Sequence, residues 1–261
     1  MKLPFFQLDA FVEGPFTGNP AAVCVLPGEV EDARLQAVAA ENNLSETAFL
    51  RQDPEGWRIR WFTPACEVAL CGHATLAAGA VVLDHLEPDR EGVTFESLSG
   101  PLGVARSHDL LELDFPAWER APAEPAVAAQ ALGAVPSEAY AGKYFMAVYD
   151  SREAVAALAP DPAAVSRVPA LGVIATAPGV GEDFVSRFFA PRAGVAEDPV
   201  TGSAHCMLAP YWAARLGRPR LEARQLSVRG GWLVCTVSGD RVRIAGRTRL
   251  VIEGSFRLDA D

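Results

Sequence analysis

Trp57, Ile59 and Trp61 alternate with Arg58 and Arg60, the period-two pattern of a half-buried strand, and Pro64 closes it. After Gly72 the pattern changes. Ala74, Leu76, Ala77, Ala78, Ala80, Val81, Val82 and Leu83 are apolar on every face, which predicts a helix over residues 72 to about 84 enclosed on all sides. A second such helix is predicted from about Ser203 to Leu216, with Pro210 inside it as a kink. Short strands are predicted after each helix, over 93–96, 103–105 and 110–115, then over 226–228, 232–238 and 241–245. Arg187–Phe189 is a further strand. Residues 32–42 and 150–159 read as amphipathic surface helices, the second with Asp150 and Glu153 at capping-box spacing and Pro160 at its end.

These patterns repeat. Arg60-Trp61-Phe62-Thr63-Pro64 returns as Arg187-Phe188-Phe189-Ala190-Pro191, 127 positions on. Gly72-His73-Ala74-Thr75 returns as Gly202-Ser203-Ala204-His205, and Ser99-Gly100-Pro101-Leu102 as Arg229-Gly230-Gly231-Trp232, both 130 positions on. Three matches in one order, near half the chain length, predict two similar lobes. The boundary falls in the Pro-, Ala- and Glu-rich stretch at 116–125. The fold class expected is α+β, each lobe a β-barrel-like sheet around a central helix. The lobes are 1–117 and 118–261, with the last strand free to return to the first lobe.

Composition narrows the functions. The chain has 261 residues, 50% of them hydrophobic and 21% charged, which excludes a disordered chain. Its net charge of −10 argues against nucleic acid or anionic membrane as a partner. The N-terminus does not read as a signal peptide, since Gln7 and Asp9 break its apolar stretch, and residues 74–83 are too few to cross a bilayer. A cytoplasmic protein is expected. Five scattered cysteines do not form a secreted disulfide pattern and read mainly as small buried residues.

Candidate chemistry lies at the two helix starts. Gly72 and Gly202 stand where unpaired N–H groups and partial positive charge can receive a carboxylate. With the lobes related by pseudo-twofold symmetry, both starts can face one interlobe cleft. His73 follows the first glycine, and Asp198, Thr201 and Ser203 surround the second. Glu46 lies between a helix end and an apolar run, beside Ser45 and Thr47. Read singly, each has a plainer role: close packing for the glycines, capping for Thr201 and Ser203, a surface turn for Glu46.

Five ordered motifs carry a resemblance. They are Asp9-Ala10-Phe11 with 16–23, Asn43-Leu44-Ser45-Glu46-Thr47-Ala48-Phe49, Arg60–Pro64, Cys71-Gly72-His73-Ala74-Thr75-Leu76-Ala77, and Glu197-Asp198-Pro199-Val200-Thr201-Gly202-Ser203-Ala204-His205. The chain resembles the PhzF family of phenazine-biosynthesis-like isomerases, whose fold is like that of diaminopimelate epimerase. The resemblance implies two similar lobes with the active site between them, and proton transfer without a cofactor or metal. It implies Glu46 as the acid/base, with His73, Asp198 and Ser203 as further catalytic residues. Ser45, Gly72, Thr201 and Gly202 are expected to contact substrate. A small carboxylic acid is the expected substrate and a homodimer the expected assembly. The loops 13–16 and 142–145 are expected to set specificity.

Other readings have less behind them. A thiol-dependent racemase would use Cys71, but Val200-Thr201 stands where a second thiol is needed. Cys71, His73, His205 and Cys206 lack a standard zinc spacing. Gly202-Ser203-Ala204 is not a serine-hydrolase elbow, and no nucleotide-binding glycine loop is present. A carboxylate-binding protein without turnover is the alternative from another class.

Overall fold

The computed structural model describes residues 1–258. Contacts divide the chain into two units: Met1–Asp114 with the described residues from Ala245 on, and Phe115–Ile244.

Unit 1 begins with β1 (Lys2–Ala10), which buries Leu3, Phe6 and Leu8. β2 (Asn19–Leu26) runs antiparallel to it. The helix α1 (Asp32–Asn42) leads to β3 (Glu46–Asp53), parallel to β2. β4 (Gly56–Phe62) returns antiparallel, followed by the two-residue β5 (Glu67–Val68). α2 (Gly72–Val81) comes next, and all ten of its residues are buried. β6 (Gly92–Glu96) lies parallel to β4, and β7 (Leu102–Ser107) and β8 (Leu110–Pro116) complete an antiparallel meander.

Unit 2 repeats this plan. β9 (Arg120–Pro122) and α3 (Pro125–Leu132) precede β10 (Glu138–Gly142), which pairs with β11 (Phe145–Val148). Two short helices, α4 (Arg152–Ala156) and α5 (Pro162–Val165), lead to β12 (Val173–Pro178), parallel to β11. β13 (Phe184–Phe189) is antiparallel to β12. A 3-10 turn over Gly202–Ala204 then opens the central helix α6 (His205–Leu216). β14 (Arg220–Gln225) lies parallel to β13, as β6 does to β4, and is followed by β15 (Gly231–Ser238) and β16 (Arg241–Gly246). The chain returns to unit 1 with β17 (Thr248–Arg257), antiparallel to β1. The architecture is α+β, a mixed sheet in each unit with a buried central helix.

A half-buried ion pair marks the repeat. Arg60 holds Glu67 through two hydrogen bonds of 2.7 and 2.8 Å, and Arg187 holds Glu197 through two of 2.7 and 2.9 Å. Each guanidinium also sits over a phenylalanine ring, Phe62 at 5.1 Å and Phe189 at 4.9 Å. Such two-point pairs fix orientation as well as charge. Both glutamates lie in the segment entering a central helix, so the clamp sets where that helix starts.

Four sequence expectations change. The strand expected at 226–228 is a turn, and the pairing strand is β14. Ser227 Oγ donates to the Pro199 carbonyl at 2.7 Å and accepts from Gly230 N at 2.9 Å, while Gly230 (φ 64°) reverses the chain. The helix expected over 150–159 shortens to α4, and its cap is Ser151, whose Oγ accepts from Ala154 N at 3.2 Å. It stops early because Arg187 Nη1 takes the carbonyls of Val155 at 3.2 Å and Leu158 at 2.6 Å. The first central helix leaves α geometry after Val81 and continues as a π turn over Val82–Leu86. The second starts as the 3-10 turn instead of a helix from Ser203, and carries Pro210 throughout. Proline cannot bond the carbonyl four residues back. That carbonyl, Cys206 O, accepts from Trp118 N at 2.9 Å instead.

Candidate active site

In unit 1 the end of α1 sets the position of Glu46. Asn43 caps that helix in the left-handed region (φ 48°), and the Asn42 side-chain amide donates to Thr47 Oγ1 at 3.1 Å. This turns the chain into β3 with Glu46 as its first residue. His73 is the second residue of α2 and is 5% exposed. Its Nε2 lies 3.3 Å from Glu46 Oε2. Its Nδ1 meets the Asn19 amide nitrogen at 3.1 Å and Cys71 Sγ at 3.5 Å. With the Asn19 amide nitrogen donating, Nδ1 accepts and the ring proton lies on Nε2, which faces Glu46 Oε2 in a contact that is not a hydrogen bond. Burial lowers the His73 pKa from 6.5 to about 3, which keeps the ring neutral at physiological pH.

Gly72 opens α2, and its N-cap residue Cys71 makes no side-chain cap. The Cys71 carbonyl accepts from Thr75 Oγ1 at 2.5 Å, which ties off the first turn. Ser45 is half-buried immediately before Glu46. Glu46, Cys71 and His73 each offer a potential ligand atom within 4.8 Å of the others. The thiol and the carboxylate approach opposite nitrogens of one imidazole, and a single ion takes only one of these. The arrangement is a cluster in which the carboxylate and the thiol flank one buried imidazole.

In unit 2, Asp198, Thr201, Gly202 and Ser203 form the second cluster. Thr201 Oγ1 donates to Asp198 Oδ2 at 2.5 Å. Gln225, fully buried on β14, organises the loop. Its Oε1 accepts from Thr201 N at 2.9 Å, and its Nε2 donates to the Asp198 carbonyl at 2.7 Å and to Thr201 Oγ1 at 3.2 Å. His205 Nδ1 contacts the Thr201 carbonyl at 2.9 Å, the same tie that Thr75 makes to Cys71. Burial lowers the His205 pKa to about 4, so this ring too is neutral. Thr201 provides no side-chain cap for the 3-10 turn. Ser203 Oγ lies 2.9 Å from Tyr144 OH, and the Tyr144 ring packs on Phe188 and Trp118.

The sequence-derived residues therefore gather as Ser45, Glu46, Gly72 and His73 in unit 1, and Asp198, Thr201, Gly202 and Ser203 in unit 2. Three partners have no role in the sequence reading: Asn19, Tyr144 and Gln225. Asn19 stands in a motif and Tyr144 in a loop singled out for specificity. Gln225 gives no signal, because alternation along a strand does not say what a buried amide bonds.

Residues 8–254 match the model of the PhzC-PhzF family, described as phenazine biosynthesis-like protein. The chain is 51% identical to an uncharacterised isomerase of Pseudomonas aeruginosa, over 99% of this chain and 100% of the relative. A crystal structure of a phenazine biosynthesis protein of the PhzF family from Enterococcus faecalis superposes with TM-score 0.94 at 44% identity, over 99% of this chain and 100% of that one. A hydroxyproline epimerase from Agrobacterium vitis shares the fold, with TM-score 0.63 at 13% identity over 99% of this chain and 93% of that one. The chain belongs to the PhzC-PhzF family of phenazine biosynthesis-like proteins and is an enzyme of isomerase type.

Proposed function

We propose that the protein is a cofactor-independent isomerase that moves a proton within a small carboxylic acid, by a 1,3-proton shift or an epimerisation. The observation that carries this reading is the contact between Glu46 Oε2 and His73 Nε2 at the start of a buried helix. In the reaction the Glu46 carboxylate takes a carbon-bound proton, and the electron pair left behind spreads into the conjugated acid. The same carboxyl group returns a proton at another carbon or the opposite face. Nothing is oxidised or reduced. His73, neutral and 3.3 Å from Glu46 Oε2, packs against the carboxylate and limits its position. Asp198 and Ser203 orient the substrate, and the uncapped first-turn amides at Gly72 and Gly202 suit its carboxylate. Ser45 and Thr201 complete the substrate contacts.

The test is incorporation of solvent deuterium into a panel of small carboxylic acids, followed by mass spectrometry. The wild-type protein should label its substrate and Glu46→Gln should not. A Glu46→Gln protein that labels at the wild-type rate overturns the assignment. Binding of an acid without labelling supports a binding protein that lacks turnover.

A second reading has one observation in its favour: Cys71 Sγ lies 3.5 Å from His73 Nδ1, where it could serve as a thiol base. Its counterpart in the repeat is Thr201, so a two-thiol racemase lacks its second group. Cys71→Ala should keep most of the labelling activity, whereas a thiol mechanism would lose it. The homodimer is also proposed. Leu250, Val251 and Ile252 of β17 are 36–48% exposed, an apolar strip suited to a second copy. Light scattering on the wild type and on Val251→Glu tests this.

A further inference from the structure

In unit 2 a cavity of about 490 Å³ is lined by Lys143, Arg192, Pro169, Ala170 and Leu171. Both cations are exposed. Arginines such as Arg60, Arg187 and Arg247 are held by carboxylates, but Lys143 and Arg192 have none among the described residues. Lys143 Nζ lies 4.1 Å from the centre of the Trp118 ring, and Arg192 Nη1 makes one long bond, 3.4 Å, to the Val168 carbonyl.

A chain of side-chain contacts runs from the cavity to Ser203. Trp118 carries Lys143 on its face and has the Tyr144 ring edge-on at 5.5 Å, and Tyr144 OH is 2.9 Å from Ser203 Oγ. The internal repeat gives an independent reason to assign function here. β2 and β3 pair with Ala21 opposite Glu46, and β11 and β12 pair with Phe145 opposite Val173. Val173 is thus the counterpart of Glu46, and Leu171-Gly172 the counterpart of Leu44-Ser45. The sheet end that carries the proposed acid/base carboxylate in unit 1 carries, in unit 2, two cations with no carboxylate partner among the described residues.

We propose that this cavity is an anion subsite that holds a second acidic group of the substrate, which makes the substrate a small dicarboxylic or otherwise doubly anionic acid. The proposal rests on the proton-transfer reading above for there being a substrate. The Arg192 fork suits the two oxygens of a carboxylate, and the apolar walls at Pro169, Ala170 and Leu171 strengthen the attraction by thinning the water around it.

The experiment is isothermal titration calorimetry on the full chain at fixed ionic strength. The probes are succinate, glutarate and adipate, against butyrate. At least one dicarboxylate should bind about tenfold tighter than butyrate. Lys143→Gln with Arg192→Gln should remove that preference and leave butyrate binding unchanged, while Lys143→Arg should retain it. No preference in the wild type, or the same preference in the double variant, overturns the subsite. Deuterium labelling separates this failure from failure of the proposed reaction. Preference that depends on Lys143 and Arg192 with no acid labelled would keep the subsite and sink the reaction. Labelling with a KM unmoved by the double variant would keep the reaction and sink the subsite.

Discussion

The two units share a scaffold and differ in chemistry. Each has a parallel strand pair, an Arg–Glu clamp over a phenylalanine, and a central helix whose first turn is tied by a side chain to the carbonyl four residues back. The aligned positions then diverge. His73 in unit 1 is Ser203 in unit 2, and Glu46 is Val173. Unit 1 has a buried imidazole against a carboxylate. Unit 2 has a hydroxyl pair beside two cations, and its acid, Asp198, stands at the position of Val68. The parts that hold backbone are duplicated, and the parts proposed to handle protons are not.

The largest effect should come from testing this division directly. Glu46→Gln should lower turnover by about 10²–10⁴-fold, the usual contribution of a positioned acid/base, with the fold intact by circular dichroism. Asp198→Asn should lose less, because Oδ2 already accepts from Thr201 Oγ1 and the amide keeps an oxygen for that bond. Equal losses in steady-state kinetics would mean that both units move protons and would break the comparison.

Acid sensitivity comes next. Both buried histidines have pKa values below the unfolded value of 6.5, His73 at about 3 and His205 at about 4. The unfolded chain binds more protons between those limits, so stability is full above pH 6.5 and falls as pH drops through the window. The slope is about 1.4 kcal/mol per pH unit for each histidine. Urea titrations from pH 7 to 4.5 should show it, and His205→Gln should remove about half of it. An unchanged slope would show that His205 is not held neutral in the folded chain.

Much of this was legible in the sequence, for reasons that also mark where legibility stops. The repeat offsets pointed to duplicated elements because glycine, proline and arginine at fixed spacing report backbone and clamp geometry. The uniformly apolar run revealed α2, whereas α6 is buried only over its first two turns and leaves Ala214, Arg215 and Leu216 exposed, so burial on every side does not hold for it. Exact ends were less readable. Ser151 caps α4 in place of Asp150, and Arg187, thirty residues on, decides where that helix stops. Gln225 was invisible as a loop organiser because its partners lie 24 to 27 positions away.

The smallest effect tests how far the duplication extends into the packing. Gly79 of α2 and Ala209 of α6 occupy matching positions. A methyl group on Gly79 would meet the Val104 side chain at 2.5 Å, closer than packed carbons tolerate. Gly79→Ala should therefore destabilise the protein by about 1–3 kcal/mol in spite of alanine's better helix propensity. Val104→Ala in the same chain should recover part of the loss by making room. Ala209→Gly should cost about 1 kcal/mol or a little more, from helix propensity and one lost methyl contact. Opposite substitutions at one repeated position should thus both destabilise. That result in denaturant titrations would show that each helix is fitted to its own sheet, and a neutral Gly79→Ala would show that the space around α2 adjusts to the methyl group.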